Sequence, residues 1–174
     1  MYRRVFNVLG VGSMLMGDDG VGPAAIEALA RREPGSDVRL HDAGLAVSDV
    51  LGALCPSDPL IVIDAVRAGG TPGSIYVLHP GDAAPGGERR SGCLSVHELN
   101  VTAALETQAI IGREFLDVTV FGVEPAVIAW GDGISPAVAA SIEALVEAVL
   151  RHVDCRRAGA PSGVVGNGTG DMGP

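Results

Sequence analysis

Short apolar runs alternate along the chain with longer segments in which apolar and polar positions recur at helical spacing. Five of the runs have the length and composition of β-strands. They cover residues 5–9, 37–44, 59–66, 74–80 and 114–121. The run at 59–66 is apolar throughout, which is typical of a strand covered on both faces. The run at 74–80 fits an antiparallel or edge strand, and the Gly-, Pro- and charge-rich segment 81–94 after it is predicted to be a surface loop.

Four segments between and after these runs predict helices. They cover residues 20–32, 47–54 and 95–112, and the segment that begins at Ser135-Pro136. Val21, Ala25 and Leu29 fall on one face of the first helix. Ser95 and Glu98 have the spacing of a capping box at the start of the third. The order β-α-β-α-β-β-α-β-α predicts an α/β fold, a three-layer α/β/α sandwich in which helices cover both faces of a mostly parallel, twisted sheet of about five strands.

Length and composition limit the organisation and the class of partner. The 174 residues predict one domain over 1–154, followed by a tail at 155–174 that is rich in Gly, Ala and Pro and is expected to be disordered. Aromatic residues make up only 3% of the chain, so the core must consist of Val, Leu, Ile and Ala. A net charge of -9 argues against a nucleic-acid partner.

The sequence predicts a cytoplasmic protein with no membrane partner. No apolar run approaches the roughly 18 residues of a membrane span. Arg3-Arg4 before the apolar stretch 5–16 resembles an export signal, but Asp18 and Asp19 follow where a cleavage site of small residues would be needed. The three cysteines form no C-x-x-C pair and fit a reducing compartment.

The glycine-spaced turn after the first strand suggests two kinds of ligand. Gly10 and Gly12 match the start of the dinucleotide fingerprint G-x-G-x-x-G, but Leu15 stands at its third glycine. The chain contains no lysine, which a phosphate-binding Walker loop requires. Asp18 and Asp19 at the helix start would also repel a pyrophosphate. A cation therefore fits this turn better than a nucleotide, although the two carboxylates would also interact favourably with the helix dipole.

Four side chains are predicted to meet at the carboxyl edge of the sheet. Asp19, Asp42 and Asp64 follow the first three strands, and His97 lies near the start of the third helix. Two of these carboxylates and the imidazole would form an O, O, N ligand set, with open coordination positions for water or substrate. Such a set accepts several divalent ions, so it does not identify the metal. Taken singly, Asp64 fits a loop cap equally well, and His97 an exposed first-turn residue.

The usual hydrolase motifs are missing from the sequence. There is no G-x-S-x-G. His97-Glu98 begins the zinc motif H-E-x-x-H, but Val101 occupies the place of its second histidine. Cys93, four residues before His97, matches no cysteine-protease pattern. Catalysis by this chain would therefore depend on a metal and its bound water.

Several separated segments together resemble one protein family. In chain order they are GVGSMLMGDDGVG (10–22), the end of the second strand at Asp42-x-Gly44, LIVIDAV (60–66) with the later PGS, SVHEL (95–99), FGVEP (121–125) and GISP (133–136). This ordered set resembles the hydrogenase maturation endopeptidases, which process the large subunit of nickel-iron hydrogenases. The resemblance covers residues 5 to about 150 and not the tail.

The resemblance implies a fold, an activity and a site. The fold would be a five-stranded twisted sheet between helices. The activity would be that of an aspartic-type or metal-dependent endopeptidase that removes a C-terminal extension from the large-subunit precursor once nickel is in place. The metal-contacting and catalytic positions of the family fall on Asp19, Asp64 and His97, the same three that the residues themselves suggest. The divalent metal would be nickel, supplied by the precursor.

Two departures from the family pattern bear on the substrate. Ser13 stands where the family commonly has asparagine, and AGLAVSD after the second strand replaces a glycine-rich turn that contains threonine. Two other functions therefore remain open at this point. One is a metal-dependent peptidase or amidase with another substrate, and the other is a non-catalytic metal-binding maturation factor.

Overall fold

The computed structural model describes residues 4–79, 98–131 and 133–159. Within these residues the chain forms five strands, four α-helices and one short 3-10 helix, Gly17–Gly20. The strands are β1 Phe6–Val11, β2 Val38–Gly44, β3 Leu60–Ala65, β4 Ile75–Leu78 and β5 Val118–Val123. The helices are α1 Val21–Ala30, α2 Val47–Ala53, α3 Glu98–Ile110 and α4 Pro136–Arg157.

The strands pair into one sheet in the order β2-β1-β3-β5-β4. The first four in that order are parallel, and β4 is an antiparallel edge strand paired with β5. The predicted α/β architecture and edge strand are confirmed. Because the parallel strands share a direction, their carboxyl ends and the loops that follow them lie at one edge of the sheet.

Apolar residues on the two faces of the sheet form two separate parts of the core. On β3, Ile61 and Ile63 point toward α1 and α4, while Leu60 and Val62 point toward α2 and α3. All four side chains are at most 1% exposed, as expected for a strand covered on both faces. By the same alternation, Asp64 points toward the face that carries α2 and α3.

A glycine allows α1 to lie close to the sheet. A Cβ added at Gly22, in the first turn of α1, would lie 2.2 Å from the carbonyl oxygen of Val11 and 2.8 Å from that of Ile63. Any larger residue would push the helix away from the carboxyl ends of β1 and β3. The close approach fixes the loop between β1 and α1 directly above those two strand ends.

The last helix begins where it was predicted. Ser135 caps it by accepting a hydrogen bond from Val138 N at 3.4 Å, as the Ser-Pro signal suggested. The helix continues through Cys155 to Arg157. Arg157 binds Asp37 and donates to the carbonyl of Pro34 at 2.8 Å, which holds this last turn against the start of β2.

Some predictions lie outside the described residues. These are the surface loop at 81–94, the capping box of Ser95 and Glu98, and disorder of the tail from residue 160 onward. Among the residues that are described, none of the helices has the length and apolar character needed to cross a bilayer.

Candidate active site

The loop between β1 and α1 holds two adjacent carboxylates, Asp18 and Asp19, and both are fully buried. They lie in the 3-10 helix, just beyond the carboxyl end of β1. A buried carboxylate is costly unless it is hydrogen-bonded, so its partners indicate its role. The two side chains have different partners.

Asp19 is fixed at the sheet edge by the backbone of its own loop. Its Oδ2 accepts a hydrogen bond from Ser13 N at 2.7 Å. Gly12 makes this fold possible, since its φ is +111° and a Cβ there would lie 2.0 Å from the carbonyl oxygen of Asp19. The bond uses the main chain of Ser13, so the replacement of the family's asparagine by serine leaves it in place. The serine Oγ itself accepts from Leu15 N at 3.3 Å.

Asp18 instead connects the loop between β1 and α1 to the segment before α4 through hydrogen bonds. Its carboxylate accepts hydrogen bonds from Ala126 N (2.7 Å), Val127 N (2.9 Å), Ser135 N (2.6 Å) and Ser135 Oγ (3.0 Å). Burial alone would raise the pKa of Asp18, but these hydrogen bonds outweigh it and hold the pKa below its ordinary value. For the Asp18-Asp19 pair the sequence suggested a cation ligand or a favourable interaction with the helix dipole. The donors lie more than a hundred residues away, so no local pattern could reveal them.

Asp64 is the next-to-last residue of β3, and it is 1% exposed. Its Oδ1 accepts a hydrogen bond from Ala65 N at 2.8 Å. The side chain also lines a cavity of about 80 Å³ between α3 and the sheet. The other lining residues are Val66, Leu78, His79, Val101, Thr102, Leu105 and Val120. Asp64 therefore places a carboxylate in a largely apolar cavity.

Asp19 and Asp64 lie at the same edge of the sheet. β1 and β3 are neighbouring parallel strands in which Gly10 pairs with Ile63, so their carboxyl ends are adjacent. The 3-10 helix that carries Asp19 also contacts β3. The parallel topology predicts this placement of the two carboxylates.

His97 lies outside the described residues, and α3 is described only from Glu98. The structure therefore neither joins the imidazole to the two carboxylates nor separates it from them. Among the described residues, no three His, Cys, Asp or Glu side chains are grouped so that they could hold a metal ion. The ligand set Asp19, Asp64 and His97 stays a prediction.

Asp42 was the fourth candidate at this edge. It lies near the carboxyl end of β2, and its side chain is exposed. Its Oδ1 accepts from Gly44 N at 3.2 Å, which closes the turn after the strand. The side chain thus has a local structural contact.

Glu124 is a buried acid that the sequence argument did not select. Its Oε2 accepts hydrogen bonds from Ala68 N (2.8 Å), Gly70 N (3.1 Å) and the Tyr76 hydroxyl (2.9 Å). Burial raises its pKa, but the hydrogen bonds dominate and lower the pKa below the ordinary value. Glu124 therefore anchors the loop that follows Asp64. The signal available in the sequence was an acid directly after an apolar strand, in FGVEP.

The described histidines are His41, His79 and His152, and each has structural contacts. His41 Nε2 lies 3.1 Å from Asn7 Oδ1, and burial followed by the nearby Arg39 charge lowers the pKa of His41. His79 Nδ1 lies 3.4 Å from the carbonyl oxygen of Val118. His152 packs edge-to-face on Phe121 with ring centroids 5.7 Å apart. None of the three lies in the loops that follow β1 and β3.

Asp18 and Glu124 at this edge accept hydrogen bonds from neutral donors: backbone N–H groups, the Ser135 hydroxyl and the Tyr76 hydroxyl. Such donors stabilise the ionised carboxylate. Asp19 and Asp64 place two further buried carboxylates at the same edge of the fold. The arrangement suits a cation carried by a partner or substrate.

Comparison with known proteins identifies the family. Residues 23–152 match the family model described as hydrogenase maturation protease. The hydrogenase 2 maturation protease of Escherichia coli K12 is 32% identical over 145 residues, which span 82% of this chain and 87% of the relative. The HupD hydrogenase expression/formation protein of Rhodobacter capsulatus is 32% identical over 147 residues, 82% of this chain and 68% of the relative.

The fold agrees with the sequence match. The structure of the hydrogenase maturating endopeptidase HybD from Escherichia coli superposes with a TM-score of 0.70 at 27% identity, covering 89% of this chain and 94% of HybD. Family model, relatives and solved structure all point to one assignment. The chain belongs to the hydrogenase maturation protease family.

Proposed function

We propose that this hydrogenase maturation protease removes the C-terminal extension of a nickel-iron hydrogenase large-subunit precursor after nickel insertion, and that Asp19, Asp64 and His97 recognise the nickel that the precursor carries. The observation that supports this site is the pair of buried carboxylates at the carboxyl ends of neighbouring parallel strands. In this scheme nickel belongs to the substrate, and the protease holds it only while the precursor is bound.

The chemistry of the three residues fits that task. Two carboxylates and one imidazole leave coordination positions open for the groups that the precursor already provides. Asp19 is held in position by Ser13 N and Asp64 by its place at the end of β3, so both carboxylates are preorganised before the substrate arrives. A precursor without nickel would bring no cation to these two buried carboxylates, so we expect it to bind less tightly.

Hydrolysis is proposed to depend on the metal and not on an aspartic dyad. The nickel of the precursor would polarise the peptide carbonyl or activate a water that attacks it, while Asp19, Asp64 and His97 would hold that metal close to the bond. Dependence on nickel separates this proposal from an aspartic-type mechanism, in which two carboxylates share a proton and no metal is required.

A cytoplasmic location is part of the proposal. No disulfide joins Cys55 to Cys155 within the described residues, which fits a reducing compartment.

The decisive experiment is incubation of the purified protease with nickel-loaded and with nickel-free precursor, followed by intact mass spectrometry of the large subunit. The wild-type protein should shorten only the nickel-loaded precursor. His97→Ala should abolish processing, with an unchanged circular-dichroism spectrum and melting temperature. Asp42→Asn serves as the matched control, since it neutralises an exposed carboxylate at the same edge, and it should process normally.

The other outcomes are informative. Full processing by His97→Ala would remove this residue from the site. Cleavage of the nickel-free precursor would contradict metal recognition. Complex formation with no shortening would indicate a non-catalytic maturation factor.

A further inference from the structure

Five exposed apolar side chains surround the loop that carries Asp19. We name this set the apolar rim: Met14, Leu15, Leu45, Val127 and Trp130. The Trp130 side chain is 75% exposed, and those of Leu45 and Leu15 are 68% and 59% exposed. Single exposed apolar residues are common on protein surfaces, so their grouping is the informative feature.

Backbone hydrogen bonds join the three loops that carry the apolar rim. Gly131 N donates to the carbonyl of Leu15 at 3.0 Å, next to Trp130. Asp18 N donates to the carbonyl of Val127 at 3.0 Å. Gly12 N donates to the carbonyl of Gly44 at 3.0 Å, which places Leu45 beside the start of the first loop. The loops after β1, β2 and β5 therefore form one continuous surface.

The loop that carries Trp130 is fixed before any partner binds. The Asp18 carboxylate holds Ala126 and Val127 at one end of this loop and Ser135 at the other. A tryptophan on a preorganised loop loses little conformational entropy on binding, and tryptophan is among the residues that contribute most to protein interfaces. The structure therefore presents an aromatic side chain to solvent on a rigid support.

We propose that the apolar rim is the surface on which the large-subunit precursor docks, with Trp130 inserted into an apolar depression of the precursor beside its nickel site. This inference rests on the proposed function. Its basis is continuity: Met14 and Leu15 belong to the same loop as Asp19, and Ser13 N holds the Asp19 carboxylate. A precursor close enough to bring its metal to Asp19 must cover the rim.

The first test measures processing against the concentration of nickel-loaded precursor. Trp130→Ala should raise the half-saturating precursor concentration at least about tenfold, more than it changes the maximal rate. Leu15→Ser should raise it several-fold. The matched control is Leu116→Ala, an apolar side chain that is 82% exposed at the opposite edge of the sheet, just before β5, and it should change the value less than about twofold. All three substitutions are at exposed positions, so melting temperatures should stay within a few degrees of wild type.

The second test uses the single tryptophan of the chain. Protease labelled with 5-fluorotryptophan gives one fluorine resonance, which reports Trp130 alone even when the precursor contains tryptophans of its own. Addition of unlabelled nickel-loaded precursor to the labelled wild-type protein should shift and broaden this resonance as the indole becomes buried.

The two tests separate failure of the docking surface from failure of the proposed function. If the precursor binds but is not shortened, the proposed activity is wrong. The fluorine resonance alone then tests whether the apolar rim is the docking surface. An unshifted resonance in a formed complex, or unchanged half-saturation for Trp130→Ala, overturns the rim while leaving the activity intact. The free protease could instead form a dimer that Trp130→Ala dissociates while processing is unchanged. That result would assign the apolar rim to self-association and would also overturn the proposal.

Discussion

The two edges of the sheet both carry acidic side chains but compensate their charge differently. At the amino edge, Asp117 forms ion pairs with Arg156 and with Arg4, and Asp37 forms one with Arg157. Each of these carboxylates meets an opposite charge, and each precedes a strand. The amino edge is thus stabilised by ion pairs near the surface.

At the carboxyl edge Asp18 and Glu124 are buried and receive hydrogen bonds from neutral groups. Asp18 and Glu124 together accept from five backbone N–H groups and two hydroxyls. Asp19 and Asp64 each accept from a backbone N–H group. Neutral donors stabilise the ionised forms of Asp18 and Glu124 by hydrogen bonding, whereas Asp117 and Asp37 at the amino edge are paired with arginines.

The largest effect should come from neutralising Asp64 at the carboxyl edge. Asp64→Asn should reduce processing of the nickel-loaded precursor at least about a hundredfold, because one of the three proposed metal ligands is lost. Asp37→Asn removes an acid from the amino edge and should leave the rate within about twofold of wild type. The measurement is the rate of large-subunit shortening at a fixed precursor concentration. Equal loss in the two variants would mean that the two edges do not differ in function.

Asp18→Asn should cause the largest change in stability. The substitution removes the charge that four donors converge on, and the new amide group would face backbone N–H donors. We expect the free energy of unfolding to fall by about 2–4 kcal/mol. Urea denaturation monitored by circular dichroism measures this. A change below about 0.5 kcal/mol would show that the loop before α4 is held by other contacts.

Much of the fold could be predicted from the sequence, because periodicity reports burial and parallel topology determines which strand ends meet. The apolar run of β3 and the placement of Asp64 at the carboxyl edge both follow from such local reasoning. The hydrogen bonds of Asp18 could not be predicted, since its partners lie more than a hundred residues along the chain and depend on loop conformation. For the same reason, the sequence pattern did not distinguish the exposed Leu15 from the buried apolar residues that precede it.

The two buried acids also predict how stability depends on pH. The pKa values of Asp18 and Glu124 lie below their ordinary values of 3.8 and 4.5, because hydrogen bonds to the ionised forms outweigh burial. As the pH falls, the unfolded chain therefore takes up protons first, and the stabilisation that is complete above about pH 4.5 is lost progressively at lower pH.

Urea denaturation between pH 3 and 7 measures this dependence. The loss of stability at acidic pH should be smaller in Asp18→Asn than in wild type, because one of the groups that titrates differently in the two states is gone. An identical pH profile in both proteins would contradict the role given to Asp18.

The smallest effect is expected at the amino edge. Asp37 and Arg157 form a two-point ion pair, with Arg157 Nη2 2.6 Å from Oδ1 and Nε 2.9 Å from Oδ2, but both side chains are partly exposed. Asp37→Asn should therefore lower the free energy of unfolding by only about 0.5–1 kcal/mol. Salt screens exposed pairs, so the difference from wild type should shrink between 0.05 and about 1 M sodium chloride, whereas that of Asp18→Asn should persist because its partners are neutral and its carboxylate is buried. A salt-independent loss at Asp37 as large as that at Asp18 would mean that the two edges hold their acids by the same means.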